Sequence, residues 1–128
     1  MFWIKRSVNL IIENGTIRGQ NMDSGQSVTQ ACKALLHPRT LMGDFFGAEK
    51  CFSLVIGKLA PKRFLLQGPT VYIQLLDKLE GGVTNVEARA FREAAVGCGA
   101  RAIFVPKTLK ALSNEQLRQR QFKNWDDV

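Results

Sequence analysis

Residues 68–106 constrain the fold most. Gly68-Pro69 opens the run Thr70-Val71-Tyr72-Ile73-Gln74-Leu75-Leu76, dense in apolar and β-branched side chains, as a central buried strand is. Gly81-Gly82 then breaks the chain, and Thr84-Asn85-Val86-Glu87 has the form of a capping box. In such a box the Thr84 hydroxyl accepts from the Glu87 amide and the carboxylate reaches back. Val86, Ala90, Phe91, Ala94 and Ala95 continue one helical face. Gly97 and Gly99 suit the left-handed helix end, and Ala102-Ile103-Phe104-Val105 is a short strand stopped by Pro106. Strand, helix and strand in this order predict a right-handed β-α-β unit with parallel strands.

Upstream the pattern is antiparallel. Phe2-Trp3-Ile4-Lys5 and Val8-Asn9-Leu10-Ile11-Ile12 read as strands, and Asn14-Gly15 is a strong two-residue hairpin signal. Thr16-Ile17-Arg18 begins the return. The expectation is a three-stranded meander over residues 2 to about 21, with residues 2–12 as one long strand the alternative. Residues 21–27 read as turn or loop. Val28–Leu36 is either a short helix or the end of an irregular strand, and His37-Pro38 marks a boundary. Asp44 is the expected N-cap of a helix. Its stripe is Phe45, Ala48, Phe52, Val55, Ile56 and Leu59, and Pro61 closes it. Ser113-Asn114-Glu115-Gln116 is a second capping box, opening a polar helix to about Phe122. One domain over residues 1–122 and a flexible tail over 123–128 are expected, with Trp125 either docked or exposed.

Composition narrows the function classes. The 128 residues suit one ordinary domain, and 45% hydrophobic with 23% charged content excludes disorder and collagen. No apolar run nears the ~20 residues of a membrane span, and the first residues lack the apolar core of a signal peptide. A net charge of +7 favours anionic partners. The basic residues are scattered, the densest cluster being Lys107, Lys110, Arg118, Arg120 and Lys123. Neither zinc-finger spacing nor an aromatic RNA-binding run accompanies them. Cys32, Cys51 and Cys98 are an odd count without CxxC, which points to a reducing, cytoplasmic setting. Cys51 and Cys98 then act as small hydrophobes. His37 is the lone histidine, so neither a cysteine–histidine nucleophile nor a structural zinc site is expected.

The element order, meander, helix, strand, helix, strand, is that of the ribonuclease H-like half-domain of actin-like proteins. Gly43-Asp44-Phe45-Phe46-Gly47-Ala48-Glu49-Lys50 resembles the A-D-F-x-x-[AT]-E-K segment of the bacterial rod-shape (MreB) family. Val86-Glu87-Ala88-Arg89-Ala90-Phe91-Arg92-Glu93-Ala94-Ala95 and the following residues to Val105 are similar to that family's V-E-R-R-A-[IL]-R-E-[AS]-A-x-x-A-G-A-R-x-V-x-L-I. The chain also resembles small stand-alone proteins of the YjaA type. The fold this implies is α/β: an actin-like half-domain with a mixed five-stranded sheet, three antiparallel and two parallel strands, and flanking helices. In the family it forms the first subdomain, about a third of the protein.

The family's chemistry is expected to be missing. Its Asp-Leu-Gly-Thr turn follows the first strand. Here Ile4 is followed by Lys5-Arg6-Ser7-Val8, with no acid or glycine, and a cation cannot serve as a hard oxygen ligand to Mg²⁺. The Glu-Pro turn after the last strand is replaced by Pro106-Lys107-Thr108-Leu109-Lys110. No nucleotide, cofactor, metal or catalytic residue is therefore expected. Gly97-x-Gly99 precedes a strand, unlike a dinucleotide fingerprint. The expected role is a non-catalytic interaction module, binding another protein or itself. Its contacts would be the exposed helix side carrying Glu87, Arg89, Arg92 and Glu93, with an open edge near Thr16–Arg18. The alternative is a nucleic-acid binder using the basic cluster. A metal-dependent enzyme built on Asp44, Asp77, Glu80 and Glu87 is a third reading.

Overall fold

The computed structural model describes residues 6–35, 45–61, 68–76, 85–108 and 110–125. The expected first strand Phe2–Lys5, the His37-Pro38 boundary and the caps Asp44 and Thr84 lie outside the described residues. Three strands come first: β1 (Ser7–Glu13), β2 (Thr16–Asn21) and β3 (Ser27–Ala31). After a short 3-10 turn at Lys33–Leu35 follow α1 (Phe45–Leu59), β4 (Thr70–Leu75), α2 (Asn85–Gly97), β5 (Ala102–Phe104) and α3 (Asn114–Arg118). The sheet order is β3-β2-β1-β4-β5. β1 and β3 each pair antiparallel with β2, while β4 pairs parallel with both β1 and β5. This is the α/β, mixed five-stranded arrangement expected of an actin-like half-domain.

The membership of the meander differs from expectation. Asn14 and Gly15 do form the β1–β2 turn, with φ of 54° and 68°, the positive values that a type I′ hairpin requires. The third antiparallel strand, however, is Ser27–Ala31. The Asn21 side-chain oxygen accepts from the amides of Asp23 and Ser24 at 2.9 and 3.0 Å, and Gly25 takes φ 82°. That local turn reverses the chain, so β3 lies beside β2 with Gly19 opposite Val28.

Period-two alternation sends Val8, Leu10 and Ile12 of β1, and Val71, Ile73 and Leu75 of β4, into one core. The helical stripe predicted for α1 is buried at Ala48, Phe52, Val55, Ile56 and Leu59. Phe52 meets Phe91 of α2 with ring centroids 5.8 Å apart. The other sheet face carries Asn9, Tyr72, Gln74 and Phe104. There Gln74 Nε2 donates to Asn9 Oδ1 at 2.7 Å, and Gln74 Oε1 accepts from the Leu112 amide at 2.7 Å. Residues 110–125 cover this side, with Leu117, Leu112 and Phe122 packed around Tyr72 and Phe104.

The Ser113 capping box forms as expected, with Gln116 as its partner, but α3 ends at Arg118 instead of continuing to Phe122. Arg120 takes φ 57° and turns the chain back toward β5. Lys107 N–H donates to Lys123 O at 2.7 Å, and Trp125 N–H donates to Val105 O at 3.0 Å. Trp125 is thus docked, packed against the main core.

The cysteine expectation is corrected. Cys32 and Cys51 are disulfide-bonded, with Cα atoms 6.2 Å apart, leaving Cys98 free. The fold brings the end of β3 onto α1, which sequence spacing does not reveal. The argument from unpaired cysteines to a reducing setting falls with this pairing. The bond closes a separation of 19 residues, for which the chain-entropy model gives about 3 kcal/mol. Urea unfolding with and without reductant should show a stability loss of that order.

Gly19 faces α1, and a Cβ there would lie 2.7 Å from both a Leu59 and a Val55 methyl. Gly19→Val should cost about 1–3 kcal/mol by overpacking, read as a lower urea midpoint at unchanged slope.

Candidate interaction surface

α1 and α2 pack against each other over one face of the sheet, Phe52 meeting Phe91. On α2, Ala88, Phe91, Ala94 and Ala95 face inward. Val86, Arg89, Glu93 and Val96 lie outside, at the three-and-four spacing of a helical stripe. On α1 the exposed positions include Phe46, Lys50 and Leu54. Phe46 and Val86 are 80% and 73% exposed, and Leu54 and Val96 about half. Cys98 Sγ donates to the Glu49 carbonyl at 3.6 Å. Gly97 sits against the Glu49 side chain. The two helices are therefore joined at the end of α2.

The predicted contact residues divide. Arg89 and Glu93 are exposed and Arg92 is half-buried. Glu87 is only 7% exposed and does not belong to the outer side. It falls next to the inward Ala88, one turn before Phe91. Val86, which the apolar spacing assigned to the inner face, is outside instead. The helix is rotated so that alanines and Phe91 take the core side. Nor is β2 an edge: it is bonded on both sides, and β3 is the edge strand on that side of the sheet.

The basic cluster is largely engaged with its own chain. Lys107 Nζ lies 4.8 Å from the Trp125 ring centroid, and the Arg120 guanidinium lies 3.8 Å from that of Phe104. Arg118 donates to Met22 O at 2.8 Å and to Asp23 Oδ1 at 3.2 Å. These three cations fasten the C-terminal segment to the sheet. Lys110 and Lys123 are exposed.

The β1–β2 turn also corrects a placement. The strand parallel to β4 is Ser7–Glu13, so the turn after it is Glu13-Asn14-Gly15-Thr16 and not Lys5-Arg6-Ser7-Val8. Glu13 Oε1 accepts from Arg18 Nη2 at 3.4 Å. Among the described residues no group of three or more His, Cys, Asp or Glu is placed to hold a metal. His37, Asp44, Asp77 and Glu80 lie outside them. No described helix is long and apolar enough to cross a membrane.

No protein-family model matches the chain. Over 65 residues, 51% of the chain, it is 32% identical to the cell shape-determining protein MreB of Pasteurella multocida (strain Pm70). The same identity and coverage hold for the cell shape-determining protein MreB of Haemophilus influenzae (strain ATCC 51907 / DSM 11121 / KW20 / Rd). The matched stretch is 17% of each relative's length. The chain thus has a partial MreB-like similarity that agrees with its actin-like fold.

Arg120→Ala removes the cation over Phe104. The expected loss is about 0.5–1 kcal/mol, seen as a lower melting midpoint and faster amide exchange at residues 112–125.

Proposed function

We propose that the chain is a non-catalytic interaction or regulatory module, built on an MreB-like half-domain. Its partners would be actin-like chains, either its own copies or a full-length MreB-type protein. The observation that carries this reading is the outer side of α1 and α2. Phe46, Leu54, Val86 and Val96 are the large hydrophobics exposed among the described residues, and all four sit on these two helices, interleaved with Lys50, Arg89 and Glu93. Exposed apolar side chains confined to two neighbouring helices and interleaved with charge suit a binding surface better than ones scattered over the whole molecule. The MreB resemblance adds that this half-domain takes part in filament contacts. The kinship with small stand-alone proteins of the YjaA type, as the same reduced module, belongs to this proposal.

The module is proposed to work without nucleotide. The β1–β2 ladder runs up to the pair Glu13 and Thr16, which leaves Asn14 and Gly15 as the two residues of the turn. The Glu13 carboxylate is met by Arg18. Beyond β5 stand Pro106 and the cation Lys107. One observation favours a second reading, nucleotide binding: Glu13-Asn14-Gly15-Thr16 keeps an acid, a glycine and a threonine in the order of the family's turn. Nothing comparable favours nucleic acid, since three cations of the basic cluster already serve the fold. Nor does Glu87, buried on α2, supply the paired carboxylates of a two-metal site.

The test is analytical sedimentation of the labelled chain, alone and with a purified MreB-type protein. Association with one or both is expected. Val86→Glu should weaken it at least tenfold, because a charge placed inside an apolar contact is desolvated without a partner. Monomeric sedimentation in both mixtures would overturn the reading.

A further inference from the structure

The two edges of the sheet are treated differently. Just past β5 the chain is bonded to its own C-terminal segment. Val105 N–H donates to Asn124 Oδ1 at 2.7 Å, Pro106 pairs with Asn124, and Trp125 N–H reaches Val105 O. The β3 edge has no such cover among the described residues. Its inner side is fixed by the bonds Asn21 N–H to Gln26 O and Cys32 N–H to Gly15 O, each 2.8 Å. Antiparallel pairs alternate between bonded and non-bonded. Gln26, Val28, Gln30 and Cys32 therefore bond inward to β2, while Ser27, Thr29 and Ala31 aim their N–H and C=O groups outward, where Gln30 Nε2 donates to one lone pair of the Ala31 carbonyl at 2.8 Å and leaves the other for a partner strand. All three residues are exposed.

This edge also lacks the usual protection. Natural edge strands carry lysine, proline or a bulge to prevent pairing. Ser27-Val28-Thr29-Gln30-Ala31 has none, and its register with β2 is unbroken. One further fact selects the occupant. Each copy carries a net charge of +7, and β3 holds no charged residue, so two copies meet there without like charges face to face. Asp23, which precedes the strand, is held within its own chain by the Ser7 amide and Arg118.

We infer that β3 pairs antiparallel with β3 of a second copy, joining two five-stranded sheets into one. With Thr29 opposite the second copy's Thr29, Ser27 faces Ala31 and all outward groups of the three residues are bonded. Thr29 pairs of this kind are favourable neighbours across strands. The inference rests on the reading of the chain as a protein-binding module, and it names the edge and the partner.

The experiment measures solution mass by light scattering over a concentration series of the full chain. The wild type should form a dimer. Thr29→Lys and Thr29→Glu should each weaken dimerisation at least tenfold, since each puts two like charges opposite one another. An equimolar mixture of the two variants should restore the dimer. Restoration by mixing excludes misfolding as the cause of the loss. Independently of any variant, the amides of Ser27, Thr29 and Ala31 should gain exchange protection as the wild-type concentration rises. A wild type that stays monomeric with fast exchange at these amides would overturn the inference. So would a dimer that both variants leave intact, but that result would leave the protein-binding reading standing and move the contact elsewhere.

Discussion

The structure depends on β1 being paired on both sides, antiparallel to β2 and parallel to β4. Ser7–Glu13 is the one strand that joins the hairpin half of the chain to the β-α-β half. Its inward residues Val8, Leu10 and Ile12 are fully buried and sit between the two helices and the sheet. Its register places Leu10 opposite both Gly19 and Ile73. A one-residue slip would turn this apolar set to the polar face and strand Asn9 in the core. The same pairing locates the hairpin turn at Asn14-Gly15.

Around that strand the two faces solve different problems. One is covered by α1 and α2 through large aliphatic and aromatic contacts. The other carries Asn9, Gln20 and Gln74, which need hydrogen bonds once covered. The C-terminal segment supplies them: the Leu112 amide meets Gln74, and Asn114 Nδ2 donates to Gln20 Oε1 at 3.0 Å. Arg118 and Arg120 add charge-assisted and ring contacts. The segment therefore works as a polar clamp with an aromatic centre. Basic residues that look like a ligand site by composition are part of its attachment.

What was legible in the sequence follows from the strength of each local signal. The apolar spacing of α1, the β4 run, the Asn14-Gly15 turn and the Ser113 box each have a strong local cause, and each forms. β3 is legible only as one of two alternatives for Val28–Leu36, helix or irregular strand, because an edge strand half open on both faces shows little alternation of polarity. The disulfide was invisible because it depends on the topology that lays the end of β3 on α1. On α2 the spacing alone could not choose between faces. Val86 and Ala90 fit the same stripe as Phe91, and only packing against α1 and β4 turned Val86 outward and drew Glu87 in. The position matching the family's turn lies at Glu13-Asn14-Gly15-Thr16 and not after Ile4, because Phe2–Lys5 reads as a strand while the strand that pairs with β4 begins at Ser7.

The central claim is that an actin-like half-domain is kept here for its binding surfaces and not for nucleotide chemistry. Calorimetric titration of the full chain with magnesium ATP tests it most directly. The account predicts no saturable heat up to millimolar nucleotide, with wild type and Glu13→Gln indistinguishable. Saturable binding that Glu13→Gln abolishes would contradict it and make the Glu13-Asn14-Gly15-Thr16 turn a working phosphate site.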